Sequence, residues 1–92
     1  MIRRRLIVTG KVQNVFYRAW FAERARGLGL DGWVRNRADG SVEAVVQGAP
    51  EVVKAMITHA RQGSAASRVA GVEVREDAFG EALDGFEQRP TV

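Results

Sequence analysis

The chain contains no cysteine. Disulfides, thiolate metal sites and cysteine nucleophiles are excluded together, and the composition fits a reducing, cytoplasmic setting. Histidine occurs once, as His59, beside Thr58 in a helical pattern. It reads as a helix-end histidine and not as a base. No set of His, Asp and Glu residues has the spacing of metal ligands, so neither a metal nor a cofactor is expected. No apolar run is long enough to cross a membrane, and no charged-then-apolar leader is expected, so no membrane partner is predicted. Ser64 and Ser67 lie in a small-residue segment with no histidine near them in sequence, and they read as turn formers.

What is present is an ordinary folded composition. The 92 residues are 46% hydrophobic and 27% charged, enough for one modest core and a single domain over residues 1–92. The formal charge is +3, which favours anionic partners but says nothing of chemistry. Basic character is almost all arginine, with Lys11 and Lys54 the only lysines.

The β-branched and aliphatic run from Arg3 to Thr9 predicts a strand. Tyr17, Phe21, Ala25 and Leu28 recur at helical spacing, and Gly27 and Gly29 end that helix. Gly32 to Asn36 predicts a second strand, with Trp33 and Val34 on opposite sides of the sheet. Asp39-Gly40 marks a hairpin, and Ser41 to Gln47 the return strand, with Val42, Ala44 and Val46 on one face. Pro50 opens a second helix whose apolar face is Val52, Val53, Met56, Ile57 and Ala60. Gly63 to Ser67 predicts a turn, Val69 to Val74 a fourth strand, and Ala78 to Asp84 a loop. Phe86 to Val92 predicts a last strand, which Pro90 confines to an edge. The order is β-α-β-β-α-β with an extra C-terminal edge strand. That is an α+β, ferredoxin-like (split βαβ) sandwich: an antiparallel or mixed sheet covered on one face by two helices.

Chemistry concentrates in Gly10-Lys11-Val12-Gln13-Asn14-Val15-Phe16-Tyr17-Arg18. A strand that turns through a glycine-started loop into a helix leaves amide N–H groups unpaired at the helix's positive end, which attracts anions. Gly10 supplies backbone freedom, or close approach to a ligand. Arg18 adds a fork of donors suited to phosphate or carboxylate. A cation at a helix N-terminus opposes the helix dipole, which an anion in the loop explains; an ion pair with Glu23 or with a carboxylate elsewhere on the surface is the alternative. Asn36 ends the second strand. It either bonds its own backbone in the turn or, if the first two strands lie close in the sheet, reaches the mouth of the loop. Trp20 reads as packing or partly exposed surface, and Arg3-Arg4-Arg5 as a solvated strand end.

The segment from Gly10 to Arg18 resembles the first signature of the acylphosphatase family, Gly-x-Val-Gln-Gly-Val-x-Phe/Tyr-Arg. Gly32 to Asn36, followed by Asp39-Gly40-Ser41-Val42, resembles the second. The resemblance spans nearly the whole chain. It implies a small, single-domain ferredoxin-like enzyme that hydrolyses acyl phosphates to a carboxylate and inorganic phosphate without a metal; a monomer is expected. It further implies that Arg18 binds phosphate with the backbone amides of Gln13, Asn14, Val15, Phe16 and Tyr17, and that Asn36 orients the attacking water. The substrate's own phosphate would take the proton. Asn14 departs from the signature's glycine, but asparagine tolerates a left-handed backbone. Two other readings stay open: an RNA-binding ferredoxin-like module, which the lack of aromatics in Ser41 to Gln47 argues against, and a phosphate-binding module whose catalysis Asn14 has weakened.

Overall fold

The aliphatic run at the start forms β1 (Ile2–Lys11), longer at both ends than its apolar residues require because it pairs on both sides. The computed structural model describes every residue from Met1 to Val92. After β1 come α1 (Tyr17–Gly27), β2 (Asp31–Asn36), β3 (Val42–Gly48), α2 (Pro50–Gln62), β4 (Arg68–Glu76) and β5 (Phe86–Gln88). The strands form one sheet in the order β4-β1-β3-β2-β5, antiparallel except where β5 runs parallel to β2. The expected ferredoxin-like α+β sandwich is the fold observed.

Three details differ from the sequence reading. The last strand stops at Gln88, although Arg89 N–H still donates to the Val34 carbonyl (2.9 Å) and Val92 N–H to the Asn36 carbonyl (3.1 Å). Pro90 has no N–H to continue a regular ladder. β1 and β2 are second neighbours, with β3 between them. The Arg3-Arg4-Arg5 run is not a solvated strand end: Arg3 is buried, its guanidinium donating to Gln47 Oε1 at 2.9 and 2.6 Å and to the carbonyls of Ala78 and Glu81.

Strand alternation separates two faces. Leu6, Val8, Val34, Val42, Ala44 and Val46 point toward the helices and meet Phe21, Ala25, Val53 and Met56 in one core. Tyr17 closes it where the helices meet, its hydroxyl donating to the Ala60 carbonyl at 2.9 Å. The other face carries no helix. Instead, Trp33 is covered by the guanidinium groups of Arg35, Arg89 and Arg5, at 4.6, 4.9 and 5.7 Å from its ring centre. Buried Glu43 accepts from both Arg35 and Arg5. Stacked and ion-paired arginines cover the sheet where an apolar layer would otherwise be needed.

Candidate active site

The loop from Val12 to Phe16 leaves the end of β1 and enters α1. Gly10 stands where β1 bulges against β4; a Cβ there would lie 2.2 Å from the Arg68 carbonyl oxygen. With φ at 116°, only glycine fits, and the close approach it permits is to β4, not to a ligand. Asn14 and Phe16 both adopt left-handed backbone, φ 60° and 61°. Alternating hand turns the intervening peptide groups, and no backbone carbonyl accepts from the N–H groups of Gln13 to Tyr17. The N-terminus of α1 has no capping side chain and no acidic residue in its first turn. Several free donors therefore converge with the positive end of the helix dipole.

Gln13 reaches away from this cradle. Its Nε2 donates to the carbonyls of Arg37 and Ser41, both at 2.8 Å, across the turn between β2 and β3. The turn is closed by Gly40 N–H to the Arg37 carbonyl (3.1 Å) and by Asp39, which accepts from the N–H and hydroxyl of Ser41. Those bonds hold the Asp39 carboxyl below its usual range. The sequence reading assigned Gln13 only a backbone amide; its side chain is what bridges β3 and brings the loop to the end of β2.

Arg18 is half-buried on the first turn of α1. It takes part in none of the ion pairs, which join Arg5 to Glu43 and Asp77, Arg35 to Glu43, Arg75 to Glu73, and Arg89 to Glu81 and Glu87. The pairing with Glu23 considered from sequence is absent. Glu23 lines a separate hollow with Trp20, Arg24 and His59, so the one histidine does not line the pocket that holds Arg18. Ser67 Oγ accepts from the Ser64 N–H and donates to the Ser64 carbonyl, as a turn serine does. No three His, Asp or Glu side chains are grouped as metal ligands.

Arg18 and Asn36 line one pocket of about 400 Å³, together with Val12, Asn14, Phe16, Tyr17, Ala19 and Gln88. Asn36 is only 8% exposed, and its Oδ1 is buried without a hydrogen-bond partner. An orphaned acceptor of this kind costs about 1–3 kcal/mol unless a water or ligand satisfies it. Its backbone is held on both sides, by the Val92 N–H and by the ladder to Val42. Gln88 was not singled out from sequence. Alternation from buried Phe86 puts it on the helix-facing side, but only the parallel pairing with β2 brings it to this pocket.

Fold and site together define a ferredoxin-like protein with unpaired backbone donors at its first strand-to-helix turn. Comparison with known proteins is specific. The family model "Acylphosphatase" matches residues 4–88. The acylphosphatase of Rhizorhabdus wittichii is 58% identical over 91 residues, covering 99% of this chain and 91% of that one. That of Thermococcus kodakarensis is 47% identical over 85 residues, 92% of each. The crystal structure of acylphosphatase from Bacillus subtilis superposes with a TM-score of 0.92 at 32% identity, covering 97% of this chain and 99% of the other. The chain belongs to the acylphosphatase family. Its activity is the hydrolysis of acyl phosphates to carboxylate and inorganic phosphate.

Proposed function

We propose that Arg18 and the amides of Gln13, Asn14, Val15, Phe16 and Tyr17 hold the phosphoryl group of an acyl phosphate, and that Asn36 orients the water that attacks it. The observation that carries this reading is the pairing, in one pocket, of an arginine without a counter-ion and a buried asparagine oxygen without a donor. The anion supplies what Arg18 and the helix terminus lack, and a water supplies what Asn36 lacks.

The chemistry asks little more. Water oxygen bonds to phosphorus as the bond from phosphorus to the acyl oxygen breaks. The carboxylate departs with that electron pair, and a proton from the water passes to a phosphoryl oxygen. A carboxylate is a good leaving group, so placement of the water and stabilisation of charge on the equatorial oxygens suffice. Asn36 accepts from the water and donates toward a phosphoryl oxygen without adding charge. Neither His59 nor a carboxylate lines this pocket to act as base, and the substrate's phosphate takes that role.

The purified protein should hydrolyse benzoyl phosphate in the presence of EDTA, with inorganic phosphate competing. Arg18→Ala should lower kcat/KM by about a thousandfold and weaken phosphate binding. Asn36→Ala should lower kcat by about a hundredfold while phosphate still binds. An inactive wild type, or full activity in both variants, would overturn the assignment.

We further infer that the chain works as a monomer in the cytoplasm. The site is built from one chain, and the absence of cysteine suits a reducing compartment. No helix is long and apolar enough to cross a membrane. Gel filtration and cell fractionation test these two points. RNA binding is disfavoured by a specific feature: the central strands β1 and β3 carry no aromatic residue, and Trp33 on β2 is covered by arginines.

A further inference from the structure

Phe16 is costly where it stands. Its backbone is left-handed (φ 61°), a conformation that costs a β-carbon-bearing residue stability, and the residue is 86% exposed, so burial returns little. Asn14, two residues earlier, has the same conformation but is a residue type that tolerates it. The loop's shape accounts for the hand of the backbone at residue 16. It does not account for an aromatic side chain there, since glycine or asparagine would form the same turn at less cost.

The pocket supplies the missing reason. Its volume of about 400 Å³ is the size of a small organic ligand site and more than a phosphoryl group fills. Beyond Arg18, Asn36 and the loop backbone, the exposed side chains that line it are Asn14, Phe16, Ala19 and Gln88. Phe16 and Ala19 present carbon surface, and Asn14 and Gln88 are neutral hydrogen-bonding groups. None is an added cation.

We infer that Phe16 is a specificity-determining residue: its ring packs on the acyl group of the substrate, with the Gln88 side-chain amide donating to that group's carbonyl oxygen. This deepens the acyl-phosphate reading above and rests on it. The favoured substrate class is acyl phosphates with an uncharged, planar or branched apolar acyl group. An acetyl group offers the ring far less apolar surface than a benzoyl group does.

The test is a ratio. kcat/KM for benzoyl phosphate is divided by that for acetyl phosphate in wild type, Phe16→Asn, Phe16→Tyr and Gln88→Ala. Phe16→Asn keeps a left-handed-tolerant backbone while removing the ring, so the ratio should fall about fivefold whatever happens to the rates common to both substrates. Phe16→Tyr should retain the wild-type ratio, and Gln88→Ala should shift it less than Phe16→Asn does. A ratio unchanged in Phe16→Asn would overturn the inference while leaving the acylphosphatase reading intact. Loss of both substrates in equal proportion would assign the residue to loop shape instead and would equally overturn it. Failure of wild type to hydrolyse either substrate would reject the underlying reading itself.

Discussion

Gln13 donates from its side-chain amide to the main-chain carbonyl of Arg37 at 2.8 Å, tying the loop after β1 to the turn after β2. The same nitrogen reaches the Ser41 carbonyl at 2.8 Å. β1 and β2 are not sheet neighbours, so the two halves of the pocket meet partly through this one side chain. Gln13→Glu keeps the shape but replaces two donations by a carboxylate facing two carbonyl oxygens. It should cost about 2 kcal/mol in urea unfolding and lower kcat more than it raises KM, because Asn36 and the loop amides lose alignment. Equal stability with unchanged kcat would show that the bridge does not align the site.

Asn14 offers a simpler comparison. At φ 60° glycine carries no steric penalty, whereas alanine carries one of about 1 kcal/mol. Asn14→Ala should therefore unfold at lower denaturant than Asn14→Gly. Asn14→Gly also removes a side chain from the pocket lining and should raise kcat with benzoyl phosphate. Steady-state kinetics on the two variants separates the backbone effect from the crowding effect.

Tyr17 joins the helices through its hydroxyl, and its removal in Tyr17→Phe should cost about 1 kcal/mol. Burial pushes the Tyr17 hydroxyl well above its ordinary value of 10.0. The folded state thus favours the neutral phenol, and the unfolded chain ionises first as pH rises. Stability from this group is present below pH 10 and lost above it. Thermal unfolding between pH 8 and 11, about the ordinary tyrosine range, should fall more steeply for wild type than for Tyr17→Phe.

Glu43 works at the opposite end of the scale. Burial disfavours its charged form, but hydrogen bonds and charge from Arg35 and Arg5 outweigh that and hold its carboxyl below the ordinary 4.5. The unfolded chain binds the proton first as pH falls, so this contribution is present above pH 4.5 and lost as pH drops through the lowered value. Glu43→Gln should be less stable at pH 7 by about 2 kcal/mol and should lose less on acidification than wild type. Denaturation curves at pH 7 and at pH 3.5, about one unit below the ordinary value, check both statements.

Much of the fold was legible because its elements have strong local signals. Leu6 and Val8 alternate, Phe21 and Ala25 recur at helical spacing, Asp39-Gly40 turns a hairpin, and Pro50 starts a helix. Arg3 and Arg5 were misread as solvated because charge in a strand usually faces water. Nothing local announces Gln47, Glu43 or the strap at Ala78 to Glu81, which pair with them from residues distant in the chain.

The site divides along the same line. By itself the sequence determined that a glycine-started turn would lead from a strand into a helix beginning near Arg18. It also determined that Asn36 would close a strand, because propensity, turn chemistry and capping act over a few residues. Only the tertiary structure decided that β3 would stand between β1 and β2. Only it left Arg18 without a carboxylate, buried Asn36 Oδ1 without a donor, and carried Gln88 to the pocket on a parallel strand. Those outcomes depend on which distant groups come within hydrogen-bond reach, a few ångströms that long-range packing sets and local sequence does not encode.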